Sequence, residues 1–324
     1  MSLLLWLKKA FLYAHLKLHF GIFNLFLHVI LFRRIREMRR LYHAQHLTIS
    51  GTNGRGQLKI DLYSPPFAGA HHTPGPKPVH INLHGGGFCL DLHGTDARFC
   101  ALVAKEVRCY VVDADYRMAP DHPFPAAFED AQRVLDWVRA NEAGMFDMGR
   151  ITLGGFSAGG NLALALVGTA EEHVQGVVAF YPPTDCTIPY RLKPIPDGQP
   201  PIGRGRMVSH EEGDRILAAY LFGLPTPWTR EMLADPRMSP RFAPPENFPD
   251  KGRTMIVSCE YDYLGEEGRE MGRVLEEAGR GPEVLWMEGM GHGFDQLCAE
   301  GSEDARVRDE VWEKAVKVIG RAQA

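Results

Sequence analysis

Eight short runs rich in β-branched and aromatic residues decide what this 324-residue chain can become: "HLTIS", "QLKIDLYSP", "VHINLHGG", "VRCYVVDADY", "RITLGGFS", "QGVVAFYPP", "RTMIVSCEYD" and "EVLWMEGMGHG". From "VHINL" onward, stretches of helical periodicity separate them. "PAAFEDAQRVLDWVRANEAG" sets Phe128, Val134, Leu135, Trp137 and Val138 on one side and ends at Gly144. "NLALALVGTAEE", "GEEGREMGRVLEEAG" and "DARVRDEVWEKAVKVIGRA" repeat the pattern further on. Strand and helix alternating in this way predict an α/β fold, a mostly parallel sheet with helices on both faces. The first two runs, joined across the strong hairpin signal Asn53-Gly54, form an antiparallel edge on it. One interval breaks the rhythm. About seventy residues lie between "VVAFYPP" and "RTMIVSC", opening with "IPYRLKPIPDGQPPIGRGRMV". That is too long for an ordinary crossover, and it reads as an inserted lid carrying at least one helix, "HEEGDRILAAYLFG".

Apolar and charged shares of 45% and 23% are those of an ordinary globular protein, and a net charge of −4 gives no reason to invoke nucleic acid. Six cysteines (89, 100, 109, 186, 259 and 298) form no CxxC pair and no His/Cys cluster at metal spacing. Several sit inside apolar runs, as small buried hydrophobes do, which points to a reducing, intracellular compartment.

The charge is unevenly spread. Residues 1–40 carry eight basic side chains against Glu37 alone, a balance of +7, so the remainder sums to −11. This segment, "LLLWLKKAFLYAHLKLHFGIFNLFLHVILFRRIREMRR", has neither the basic start nor the small-residue cleavage site of a signal peptide. Its cleanest apolar stretch, Phe20 to Phe32, is thirteen residues with Asn24 and His28 inside, against about 20 for a span. Lengthening it would bury Lys17 and His19. Two arrangements then fit: a helix lying on an anionic membrane surface through residues 1–40, or a helix capping its own domain.

The chemistry centres on "GFSAG". Gly155, Phe156, Ser157, Ala158 and Gly159 follow one strand and open a helix, the context that makes G-x-S-x-G a nucleophile elbow rather than a glycine-rich turn with an incidental serine. Glycines on either side of Ser157 let strand and helix approach closely. About seventy residues upstream, His84, Gly85, Gly86, Gly87 and Phe88 follow another strand. Bare backbone there suits an oxyanion, with Gly86, Gly87 and Ala158 as donors and His84 as a structural member of the loop. A serine hydroxyl needs a base. Of fourteen histidines, His292 alone stands between glycines at the end of a late strand. The acid must follow a strand between the two. Glu260 and Asp262 both qualify by position; Asp262, inside the loop, is preferred.

These residues resemble the hormone-sensitive-lipase-like branch of the α/β-hydrolases, which includes the bacterial family IV esterases. The resemblance rests on "HGGGF" (84–88), "DYRMAPDHPFPAAFEDA" (115–131), "GFSAGG" (155–160), "DPRMSP" (235–240), "EYDYL" (260–264) and "GHGF" (291–294), in the family's order and over about two-thirds of the chain. It implies the α/β-hydrolase fold and hydrolysis of small to medium acyl esters through a serine acyl-enzyme, with no metal or organic cofactor. It also implies a cap built from an N-terminal helical segment, 1–45, and an insertion at about 183–245 within the main domain, 46–324. Arg117 is structural on this reading. Amide or formamide hydrolysis on the same triad, or a non-catalytic receptor of the same fold, are the alternatives. A small-molecule ester is the expected partner, and the expected location is cytoplasmic or at a membrane periphery.

Overall fold

Among the described residues, eight strands form a single sheet in the order β1-β2-β4-β3-β5-β6-β7-β8. The structure is a computed structural model that describes residues 3–51, 56–66, 75–170, 173–296 and 298–324. In chain order the elements are α1 (Leu3–Leu41), β1 (Gln45–Ser50), β2 (Gln57–Tyr63), β3 (Lys77–Leu83), α2 (Ala97–Val107), β4 (Tyr110–Ala114), α3 (Ala126–Ala140) and β5 (Phe146–Phe156). They continue with α4 (Ala158–Thr169), β6 (Gly176–Phe180), α5 (His210–Tyr220), α6 (Arg230–Leu233), β7 (Thr254–Tyr261), α7 (Gly265–Glu277), β8 (Glu283–Gly291) and α8 (Glu303–Ala322). β1 and β2 pair antiparallel, as does β2 with β4, and every other ladder is parallel. The turn residues Asn53 and Gly54, like His71 and His72, lie outside the described residues.

The inner strands are buried on both faces because helices cover them, and β6 reads as an unbroken apolar run. α3, α4 and α7 pack on one side, with Leu135, Leu162 and Met271 in a common core. α2 and α8 pack on the other, where Phe99, Phe156, Phe180 and Trp312 meet. All six cysteines are unpaired; five are buried and Cys298 is half-buried.

One expectation needs correction. α3 does not run to Gly144. It stops at Ala140, and Asn141 takes the left-handed conformation (φ 45°) that ends it. Its amide group bonds both the N–H and the C=O of Phe146, at 3.0 and 2.8 Å, so the side chain ties the cap to the next strand. Asparagine tolerates this conformation by such local bonding. The N-terminal segment is one long helix that packs on the main domain. Leu16 and Phe20 bury against Cys89, Leu90, Ala119 and Ala219, and Arg39 pairs with Asp61 of β2 at 2.5 Å.

His80 on β3 is wholly buried, with Nδ1 2.9 Å from the Thr152 hydroxyl. Burial pushes its pKa down to about 3. Between an unfolded value of about 6.5 and that folded value, the unfolded chain takes up a proton that the folded chain refuses. Stability therefore falls as pH is lowered through this window. Urea titrations between about pH 7 and 4 should give a shallower loss for His80→Gln than for the wild type.

Candidate active site

At the end of β5 the chain turns so sharply that its backbone presses on β3. A Cβ on Gly155 would sit 2.5 Å from the Leu83 carbonyl oxygen, and one on Gly159 would overlap that same oxygen outright. Only glycine fits at both positions. Between them Ser157 takes φ 53° and ψ −116°, a strained conformation held by its own N–H bonding the Phe180 carbonyl at 2.8 Å. α4 begins at the next residue, so the serine stands at a helix N-terminus, whose free N–H groups favour negative charge.

The loop after β3 supplies the facing wall. Gly86 (φ 124°) bends it so that its carbonyl accepts the N–H groups of Cys89 and Leu90 at 3.0 and 2.9 Å. No backbone acceptor among the described residues takes the N–H of Gly86 or Gly87. Gly85, Gly86, Gly87 and Ala158 line one cavity with Ser157 and His292. His84 stays in the scaffold behind this loop. Its ring stacks on Tyr116 (4.4 Å, 9°), its Nδ1 lies 2.6 Å from the Gly85 carbonyl, and its Nε2 lies 3.5 Å from the Asp115 carboxylate. Burial disfavours charge on His84, yet Asp115 outweighs burial and raises its pKa. Tyr116 donates to the His84 carbonyl at 2.8 Å, which fixes where the loop starts.

His292 closes the constellation. Its Nε2 is 2.8 Å from Ser157 Oγ and its Nδ1 is 2.6 Å from Asp262 Oδ2. The other oxygen of Asp262 accepts the Leu264 N–H at 3.1 Å, which holds the carboxylate in plane. The two candidate acids thus have different positions. Glu260 turns away and accepts the Gly289 N–H at 2.7 Å, bracing the strand that leads to His292. Arg117 grips Asp130 with two bonds, at 2.7 and 2.9 Å, and helps anchor α3.

Two supports of the site gave no local signal in the sequence. The Tyr181 ring lies 4.8 Å from the His292 ring; its hydroxyl donates to buried Asp295 at 2.6 Å, and Trp312 donates to the other Asp295 oxygen at 2.9 Å. Burial raises the Asp295 pKa against these two donors. The insertion, expected only to cover the site, also holds the histidine. Arg206 and His292 exchange backbone bonds at 2.8 and 3.0 Å, and Gly291 donates to the Arg204 carbonyl at 2.7 Å. Helix α1, expected as part of the cap, is a wall of the cavity. Phe23, Leu27, Leu31 and Ile35 line it opposite Ile216 and Tyr220 of α5, enclosing about 580 Å³ of mostly apolar space.

A second acidic cluster lies beneath β2 and β4, where Asp61, His93 and Asp113 bring ligand atoms within 4.8 Å of one another. Arg39 already supplies the positive charge there, bonding Asp61 at 2.5 Å and His93 Nδ1 at 3.0 Å, so the group is filled as an ion-pair network rather than built as a cation cage.

Comparison with known proteins agrees with this fold. A family described as alpha/beta hydrolase fold matches residues 80–296. The carboxylic ester hydrolase LipN of Mycobacterium tuberculosis is 30% identical over 279 residues, covering 83% of this chain and 69% of the relative. The versiconal hemiacetal acetate esterase of Dothistroma septosporum is 31% identical over 230 residues, covering 68% and 67%. Among solved structures, an esterase of Pyrobaculum calidifontis superposes with a TM-score of 0.68 at 26% identity, covering 90% of this chain and 91% of that one.

The pairing of the insertion with His292 can be tested at Gly205, whose φ is 88° and where a Cβ would lie 2.5 Å from the Gly291 carbonyl oxygen. Gly205→Ala should lower kcat about tenfold or more by displacing the imidazole, as small misplacements of catalytic groups do. Thermal unfolding should confirm that the domain remains folded.

Proposed function

The chain belongs to the hormone-sensitive-lipase-like branch of the α/β-hydrolase family, and from that premise we propose that it hydrolyses small to medium carboxylic esters through an acyl-enzyme on Ser157. The observation that carries this reading is the continuous line of 2.8 and 2.6 Å contacts from Ser157 through His292 to Asp262, with Ser157 and His292 lining an apolar cavity.

His292 Nε2 takes the Ser157 proton as Oγ attacks the ester carbonyl carbon. Asp262 accepts from the protonated imidazole's Nδ1–H, which fixes the tautomer and stabilises the positive charge without itself taking a proton. Charge moves to the carbonyl oxygen, where the N–H groups of Gly86, Gly87 and Ala158 receive it; one such donor is worth about 3–4 kcal/mol of barrier. The tetrahedral centre then collapses. The C–O bond to the alcohol breaks, and His292 returns its proton to the departing oxygen. Water, deprotonated by the same imidazole, repeats the sequence on the Ser157 ester to release the acid and restore the hydroxyl.

The cavity supports the substrate class. Its volume of about 580 Å³ suits a short or medium acyl group with a small alcohol, and its lining offers contacts to carbon chains more than to charge. Of the cationic side chains that line it, Lys193 is neutralised by buried Glu267 and Arg206 pairs with Glu212.

Kinetics on p-nitrophenyl esters of increasing acyl length should show turnover that peaks at short or medium chains. Ser157→Ala should lower kcat by about 10⁴-fold or more, and Asp262→Asn by about 10³–10⁴-fold with little change in KM. A fluorophosphonate should label the wild type and leave Ser157→Ala unlabelled; labelling of both would contradict the assignment.

A further inference from the structure

Helix α1 has two faces with different fates. On the inner face Leu16 and Phe20 are buried, Asn24 bonds the Cys89 carbonyl and the Asp91 N–H at 2.9 and 3.0 Å, and Tyr13 and Lys17 both bond Asp121. The outer face packs against no other part of the chain among the described residues. Phe11, Leu18, Ile22, Leu25, Phe26 and Val29 stand in solvent, with Phe11 77%, Leu25 66% and Val29 70% exposed. At 100° per residue these six fall within one arc, a stripe about 30 Å long up to Phe32. The same arc then turns basic, and Arg33, Arg36 and Arg40 are exposed along it. A soluble monomer rarely leaves so large an apolar surface uncovered.

We propose that α1 is a membrane-docking helix that lies in the plane of an anionic bilayer, its outer apolar stripe among the acyl chains and Arg33, Arg36 and Arg40 at the phosphate level. Charge complementarity selects this occupant. The helical segment carries +7 and the rest of the chain −11, so the basic charge is concentrated on the one element with an apolar outer face. That combination is the mark of interfacial binding to anionic lipid. A second copy of the chain is a poor fit for the stripe. Parallel helices would set the arginines against one another, and antiparallel ones would press them onto Phe11 and Leu18. A membrane span fits no better, although α1 is long and apolar enough for one. Spanning would strip Asn24, Lys17 and Arg39 of their partners in the main domain and leave them in hydrocarbon.

The full-length protein is mixed with vesicles of phosphatidylcholine alone or of phosphatidylcholine with phosphatidylglycerol, and co-flotation is measured together with oligomeric state and hydrolysis of a soluble p-nitrophenyl ester. The expected result is a monomer that floats with the phosphatidylglycerol vesicles, far less with phosphatidylcholine, and is released by alkaline carbonate. Leu25→Glu with Val29→Glu should weaken vesicle binding by about a hundredfold, as loss of two buried aliphatic side chains requires. Arg36→Glu with Arg40→Glu should weaken it by about thirtyfold. Neither pair touches the cavity, so ester hydrolysis in solution should persist in both. That activity also separates this proposal from the catalytic one: a protein that hydrolyses the ester and fails to float overturns only the docking. The proposal is equally overturned by retention in the bilayer after carbonate, or by a dimer that Leu25→Glu with Val29→Glu splits while no vesicle is bound.

Discussion

The absence of two Cβ atoms, at positions 155 and 159, is the constraint from which the catalytic edge follows. With glycine at both, the end of β5 and the start of α4 lie against the Leu83 carbonyl, and the chain has only a strained route between them. That route lifts Ser157 above the sheet. The strain, on the order of 1–3 kcal/mol, is offset by the surroundings: α4 is apolar and buried from Ala158 through Gly168, wedged among β3, β5, β6 and α3. A helix apolar on every side has to sit in the core, and its position there fixes the turn that precedes it.

His292 is held differently, by contacts far apart in the chain. Asp262 grips one ring nitrogen, Tyr181 lies against the ring, and the insertion bonds its backbone through Arg206. Cover and catalyst are therefore mechanically joined. A displacement of residues 204–206, where the insertion meets the cavity, would be transmitted to the imidazole. Charged groups around the site are meanwhile paired or hydrogen-bonded, as Lys193 is to Glu267 and Asp295 to Tyr181 and Trp312.

What the sequence disclosed follows the range of the forces involved. Strand runs, the elbow, the glycine loop and the loop of His292 are encoded within a few residues each, and all stand in the fold at the places their local pattern indicates. The choice of Asp262 over Glu260 was less direct, because both follow the same strand and only the partner of each carboxylate separates them. The stop of α3 at Asn141 was hidden by a nearby glycine that looked the better terminator, since nothing local announces the bonds from Asn141 to Phe146. The role of residues 204–206 was invisible for a similar reason: a backbone pairing across about eighty-five residues leaves no side-chain signature. For α1 the composition was plain, but which face turned inward depended on Asp121, Cys89 and Asp61, none of them its neighbour in sequence.

The central claim, that one imidazole relays a proton between the hydroxyl at 157 and the substrate while an acyl group rests on that oxygen, is tested most directly by trapping the intermediate. Protein turning over p-nitrophenyl acetate is quenched in acid, digested and examined by mass spectrometry. The wild type should carry an acetyl group on the peptide at Ser157, and His292→Ala, which lacks the base for the attack, should carry far less. Sustained ester hydrolysis with no acyl adduct on Ser157 in either protein would contradict it.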